Sequence, residues 1–261
     1  MRYLLLTAFA TGLLALPVRA TACGPATDCM VADGTYRIRM PDGPPQGAIV
    51  FAHGYRGSAN GTMGSGGLER MAREKGLALI ALNAKGIDWD IPNAPDGREP
   101  RDEAAYILSV RDDAATRFDL DPARMVMAGF SAGGMITWQM ACDRPDSFPA
   151  FIPLSGTFWD PVPAQCADGS ATIHHIHGTS DGVVPIGGRP IGATAQGDVM
   201  QALEMYRAKG FDTSVPFTLA DLECEAWSDG DAVLSYCLHP GGHRFSAAWL
   251  AVLWDQTFPG G

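Results

Sequence analysis

The sequence predicts one α/β domain, a mostly parallel β-sheet with helices on both faces. Two observations carry this. From Gly34 onward, short apolar or alternating runs take turns with stretches of helical periodicity. Most of the apolar runs are nearly continuous, as strands buried on both faces require. The chain has 261 residues, 46% of them apolar, enough for one large core. No repeat and no Ser/Thr-rich or Pro-rich linker divides it.

The elements follow in order. Residues 35–40 (TYRIRM) alternate and read as an outer strand. Residues 47–54 (GAIVFAHG) form an apolar run suited to a central strand. Residues 67–76 (GLERMAREKG) are a short helix stopped by Gly76, and 77–83 (LALIALN) a second buried strand. Residues 101–120 carry apolar side chains at helical spacing, with acids in the first turn. Residues 123–130 (ARMVMAGF) are a third buried strand, followed by a helix from Ala132 to Cys142. Strands at 148–156 and 171–178, an amphipathic helix at 198–210, a strand at 232–240 and a closing helix at 244–258 complete the series. The irregular stretches 87–101 and 157–170 are the longest, which makes them candidate substrate walls or lids.

Residues 1–22 stand apart. Arg2, an apolar stretch from Tyr3 to Leu16, Pro17 and Ala20-Thr21-Ala22 read as a secretory signal cut after Ala22, with Ala20 a near alternative. The folded domain is then expected to span 23–261. A lipid anchor on Cys23 is disfavoured by Arg19 and Ala20 just before it. No later segment has the length of a transmembrane helix, so no membrane association is expected after cleavage. The net charge of −10 becomes −12 once Arg2 and Arg19 are removed. Such a surface repels phosphate backbones and argues against nucleic acid as a partner. Six cysteines, an even number in an exported chain, suggest three disulfides. The sequence-local pairing Cys23–Cys29, Cys142–Cys166 and Cys224–Cys237 is favoured among the possible ones. No C-x-x-C pair suggests metal.

The chemistry centres on MVMAGFSAGGM, from Met125 to Met135. Gly129-Phe130-Ser131-Ala132-Gly133 matches G-x-S-x-G between a buried strand and a helix. That turn lifts a serine hydroxyl clear of the sheet, and the flanking glycines let backbone approach without a Cβ clash. Phosphate-loop spacings are absent, so no nucleotide cofactor is implied. A plain glycine-rich turn with an idle serine is the competing reading. The later chain weighs against it. A serine needs a base, and the base an orienting acid. Asp181 follows the strand 171–178, and His243 follows the strand 232–240, both at carboxyl ends of strands. The loop after residues 47–54 is placed to supply a second oxyanion N–H at Tyr55, beside that of Ala132.

Other candidates rank lower. Asp160 and Asp229 are reserve acids that do not directly follow an apolar strand. His53 is expected to order its loop. His174 points away from His175 and His177 by strand alternation, and with no carboxylate or cysteine completing a set the three read as structural. The methionines near Ser131 read as core. Trp89, Trp159 and Trp227 are candidate substrate-binding aromatics, or core. Asn60-Gly61-Thr62 fits a glycosylation sequon.

With HGYRGSANG, DPARMVMAGFSAGGM, HIHGTSDGVVP and GGHRF on one chain, the sequence resembles the α/β-hydrolases. Within them it looks like the polyhydroxybutyrate depolymerase-like esterases and their feruloyl and acetylxylan esterase relatives. The resemblance implies Ser131, Asp181 and His243 as a triad, with the Ala132 and Tyr55 backbone as oxyanion donors and no metal or cofactor. It implies a secreted or periplasmic enzyme cleaving a polyester or oligomer of 3-hydroxyalkanoate. The alternative is a feruloyl or acetyl ester on polysaccharide. A serine peptidase, or a silent binding protein on the same fold, are further alternatives. Many relatives have HGC where this chain has His53-Gly54-Tyr55.

Overall fold

The computed structural model describes residues 23–211 and 213–260; the expected signal segment, 1–22, lies outside them. The strands are β1 (Cys29–Val31), β2 (Gly34–Arg39), β3 (Gly47–Ala52), β4 (Leu77–Leu82), β5 (Met125–Phe130), β6 (Phe151–Leu154), β7 (Ile173–Gly178), β8 (Arg189–Ile191), β9 (Thr194–Gln196), β10 (Thr213–Leu219), β11 (Leu222–Asp229) and β12 (Ala232–His239). The helices are α1 (Ala59–Met63), α2 (Gly66–Lys75), α3 (Glu103–Phe118), α4 (Ala132–Asp143), α5 (Val199–Arg207) and α6 (Ala247–Thr257).

Ten strands form one sheet in the order β1-β2-β4-β3-β5-β6-β7-β12-β11-β10. The central run β4-β3-β5-β6-β7-β12 is parallel, and both margins are antiparallel. Every residue of β3, β4 and β7 is buried, because helices cover both faces. The alternation of β3 divides the core. Ala48, Val50 and Ala52 face a layer with Ile107 and Val110 of α3, Ile136 and Met140 of α4, and Leu203 of α5. Ile49 and Phe51 face the opposite layer, with Leu68 and Met71 of α2 and Leu250 and Leu253 of α6. Side chains i and i+1 of a strand point to opposite faces, so one strand serves two cores.

Helix boundaries follow local chemistry. Asp102, Asp198 and Ser246 cap α3, α5 and α6, each accepting a backbone N–H of the first turn. Gly76 ends α2 in the left-handed region at φ 64°, where a Cβ would be strained.

Three hairpins go beyond what the sequence predicts, the first joining β1 to β2 across Ala32-Asp33. β10 and β11 extend the sheet, joined at Ala220-Asp221 with Ala220 at φ 52°. β8 and β9 form a separate ribbon turning at Gly192. The disulfides Cys23–Cys29, Cys142–Cys166 and Cys224–Cys237 are all present. The last joins residues directly opposite on β11 and β12. Among the described residues, no helix is long and apolar enough to cross a membrane.

Candidate active site

Ser131 sits between β5 and α4 with φ 59° and ψ −121°, outside the ordinary regions for a residue with a Cβ. Its neighbours permit the turn. A Cβ on Gly129 would stand 2.1 Å from the Gly133 carbonyl oxygen. A Cβ on Gly133 would stand 1.9 Å from the carbonyl oxygen of Ala52, at the end of β3. The start of α4 is thus pressed onto the end of β3. Gly54 is brought against the serine, where an added Cβ would lie 3.3 Å from Ser131 Cβ.

The loop after β3 is held from several sides. His53 Nε2 accepts the Ala84 N–H at 3.2 Å, so the ring proton lies on Nδ1 and is donated to the Gly54 oxygen at 2.8 Å. Burial lowers the His53 pKa, in keeping with that neutral ring. Trp89 Nε1 donates to the His53 oxygen at 2.8 Å, and the Arg56 N–H to Ile87. The N–H groups of Tyr55 and Ala132 have no hydrogen-bond acceptor among the described residues. Both residues line the cleft that contains Ser131.

Asp181 and His243 are joined. Asp181 is buried, with Oδ1 accepting the N–H groups of Val183 and Val184 at 2.9 Å each. Its Oδ2 lies 2.7 Å from His243 Nδ1. Burial alone would raise the carboxyl pKa; the hydrogen bonds from His243, Val184 and Val183 outweigh it and hold the pKa below the ordinary value. A charged Asp181 only accepts, so His243 Nδ1 carries the proton and Nε2 presents a lone pair. The His243 ring packs on Phe130, the residue before Ser131, at 4.7 Å between centroids. Ser131 Oγ makes no hydrogen bond within 3.5 Å among the described residues, so the serine–histidine contact is open in this conformation.

The cleft has a volume of about 370 Å³. Ile87, Arg98 and Trp159 from the two long irregular stretches line it, as do Val183, Arg189 and Gln196. The Arg98 guanidinium lies over the Trp159 ring at 5.6 Å and pairs with Asp88. Met135 lines the cleft as well as filling core space. Of the three candidate tryptophans, only Trp159 reaches the cleft. Trp89 is fully buried beneath the loop that it braces. Trp227 is buried on β11 beside Arg207.

The reserve acids stand elsewhere: Asp229 accepts from Ser170, and Asp160 is exposed. His174 bonds Ser235, while His175 and His177 share the other face and bond each other. A carboxylate lies near the pair without completing a set, Asp181 Oδ2 at 3.6 Å from His177 Nε2, because the loop after β7 folds back over the strand end. No group of three or more His, Cys, Asp or Glu able to hold a metal occurs among the described residues. The sequence reading missed Arg98, Arg189 and Gln196. The last two come from the β8–β9 ribbon, whose only sequence signal is Gly192 at its turn.

No family model matches the chain. It is 27% identical over 180 residues to the putative esterase NocK of Nocardia uniformis subsp. tsuyamanensis, covering 65% of this chain and 52% of that one. It is 29% identical over 165 residues to a probable feruloyl esterase C of Aspergillus clavatus, covering 59% and 56%. The chain therefore spans about half the length of these relatives. The acetyl xylan esterase from Aspergillus awamori superposes with a TM-score of 0.59 at 14% identity, over 85% of this chain and 94% of that one. An alpha-beta serine hydrolase homologue from Coxiella burnetii superposes with a TM-score of 0.53 at 16% identity, over 92% and 100%. Sheet order, crossover pattern and these likenesses agree: the chain has the α/β-hydrolase fold.

Proposed function

We propose that the protein is a serine hydrolase of carboxylic esters, working through an acyl-enzyme on Ser131. The observation that carries this is the strained positive-φ backbone of Ser131 at a strand-to-helix turn, conformational strain that an idle serine would not need. His243 Nε2 takes the hydroxyl proton as Oγ attacks the ester carbonyl. The Tyr55 and Ala132 N–H groups, left without acceptors, bind the oxyanion. His243 returns the proton to the departing alkoxide, and water then cleaves the acyl-enzyme. Asp181 holds the imidazole as its Nδ1–H tautomer and balances its charge. Three disulfides support an exported, oxidising location.

Two substrate readings stand. The relatives named as feruloyl and acetylxylan esterases favour an aryl or acetyl ester on polysaccharide. The exposed apolar side chains of Tyr55, Ile87 and Val183 at the cleft favour an apolar polymer such as a 3-hydroxyalkanoate polyester. A panel of methyl ferulate, acetylated xylan, 3-hydroxybutyrate oligomers and amorphous polymer, run beside Ser131→Ala, tests both. Hydrolysis retained by Ser131→Ala would overturn the mechanism, and the panel ranks the substrates.

A further inference from the structure

His177 and His175 lie on β7, outside the reacting groups just described. His177 Nε2 is 2.7 Å from the Val184 carbonyl oxygen, which only accepts, so Nε2 carries a proton. His177 Nδ1 is 2.9 Å from His175 Nε2. A neutral His177 must therefore accept at Nδ1, and His175 donates. His175 Nδ1 is then unprotonated and makes no hydrogen bond of sound geometry, although the Pro153 backbone lies beside the ring. The pair is wedged in place: the His175 ring stacks on Tyr236 at 8° and packs against Trp138. The opposite tautomer would require His177 to carry a charge where nothing of the ring reaches solvent.

The other end of this chain of bonds is the acid. Val184 gives its N–H to Asp181 Oδ1 and its oxygen to His177, so one residue is clamped on both sides. We propose that His177, held in its Nε2–H tautomer by the Val184 oxygen, is a positioning residue that sets the Asp181–Val184 turn and thereby aims Asp181 at His243. The inference rests on the serine esterase reading above. A neutral His177 also leaves the Asp181 charge undivided for His243, since Nε2 points its proton at Val184 and stands 3.6 Å from Asp181 Oδ2. The titratable groups around His177 are His175 on its own strand, Asp181 and His243 from two loops, and His239 at the end of β12.

The test compares His177→Leu, which removes the bond to Val184, with His177→Gln, whose amide nitrogen replaces Nε2. In wild type, the His243 Nδ1 proton shared with Asp181 should give a low-field NMR signal without substrate. In His177→Leu that signal is expected to weaken or vanish, and kcat to fall about 10- to 100-fold with KM little changed. His177→Gln should restore both. If His177→Leu does not fold, His177→Asn, whose amide is too short to reach Val184, gives the same comparison. A signal unmoved by Leu or Asn, or a loss that Gln does not restore, overturns the proposal. The NMR signal needs no turnover, so failure of the esterase reading, seen as an inactive wild type, remains separate.

Discussion

Asp181 and His243 meet at 2.7 Å across 62 residues of chain, while the other oxygen of Asp181 is committed to two backbone N–H groups. That division makes Asp181→Asn a sharp test. The N–H groups of Val183 and Val184 demand an acceptor, so the amide oxygen takes the Oδ1 place and the NH₂ faces His243. His243 Nδ1 must then accept, its proton moves to Nε2, and the base is lost. The expected outcome is a loss of kcat on the order of a thousandfold or more, with little change in KM or melting temperature. Steady-state kinetics on a p-nitrophenyl ester and a thermal melt check it; near-wild-type kcat would show that Asp181 does not orient the base.

Gly133→Ala tests the contact that brings β3 onto α4. The added Cβ would stand 1.9 Å from the Ala52 oxygen and 2.7 Å from the His53 oxygen, both backbone atoms that cannot swing away. The expected cost is about 3 kcal/mol or more in urea denaturation, with activity lost as the oxyanion loop is pushed off. Gly66→Ala is the control. Nothing lies within 4 Å of its Cβ, and in a helix Ala is favoured over Gly by about 0.5–1 kcal/mol.

Trp159 and Trp227 should separate substrate binding from stability. Trp159→Ala removes a cleft wall and the ring beneath Arg98, so KM for bulky esters should rise several-fold while p-nitrophenyl acetate is little affected. Trp227→Ala empties a buried site on β11, with an expected cost of about 3–5 kcal/mol and unchanged KM in the folded fraction. Equal effects of the two variants on KM would remove Trp159 from the substrate wall.

The difference between these tryptophans marks how far the sequence could be read. The central strands were legible because burial on both faces writes them as unbroken apolar runs, as in GAIVFA and LALIAL. The places of Ser131, Asp181 and His243 were legible because each follows a strand that the sequence marks, at its carboxyl end. β10 and β11 were not, because Ala226-Trp227 breaks the short alternation of Leu222 and Cys224 with Glu223 and Glu225, and β10 holds Pro216, tolerable only at a sheet edge. Whether a loop tryptophan faces a cleft or braces a backbone depends on tertiary contacts that no local pattern records. Trp89, bonded to the His53 oxygen, belongs to the second kind.

His174 gives a prediction for acid stability. It is fully buried with Nδ1 2.8 Å from Ser235 Oγ, and burial lowers its pKa from 6.5 to about 4. Unfolded chains take up this proton near pH 6.5, and the folded protein only near pH 4. The contribution to stability is therefore complete above pH 6.5 and is lost as pH falls toward 4, by about 1.4 kcal/mol per pH unit within that window. His175 and His177 are lowered as well and add to the same slope. His174→Asn keeps a polar partner for Ser235 and removes one titration. The stability difference between pH 7.5 and pH 5, read from urea denaturation, should shrink by about 2 kcal/mol in the variant. An identical pH dependence in the two proteins would mean that His174 takes up its proton equally in the folded and unfolded states.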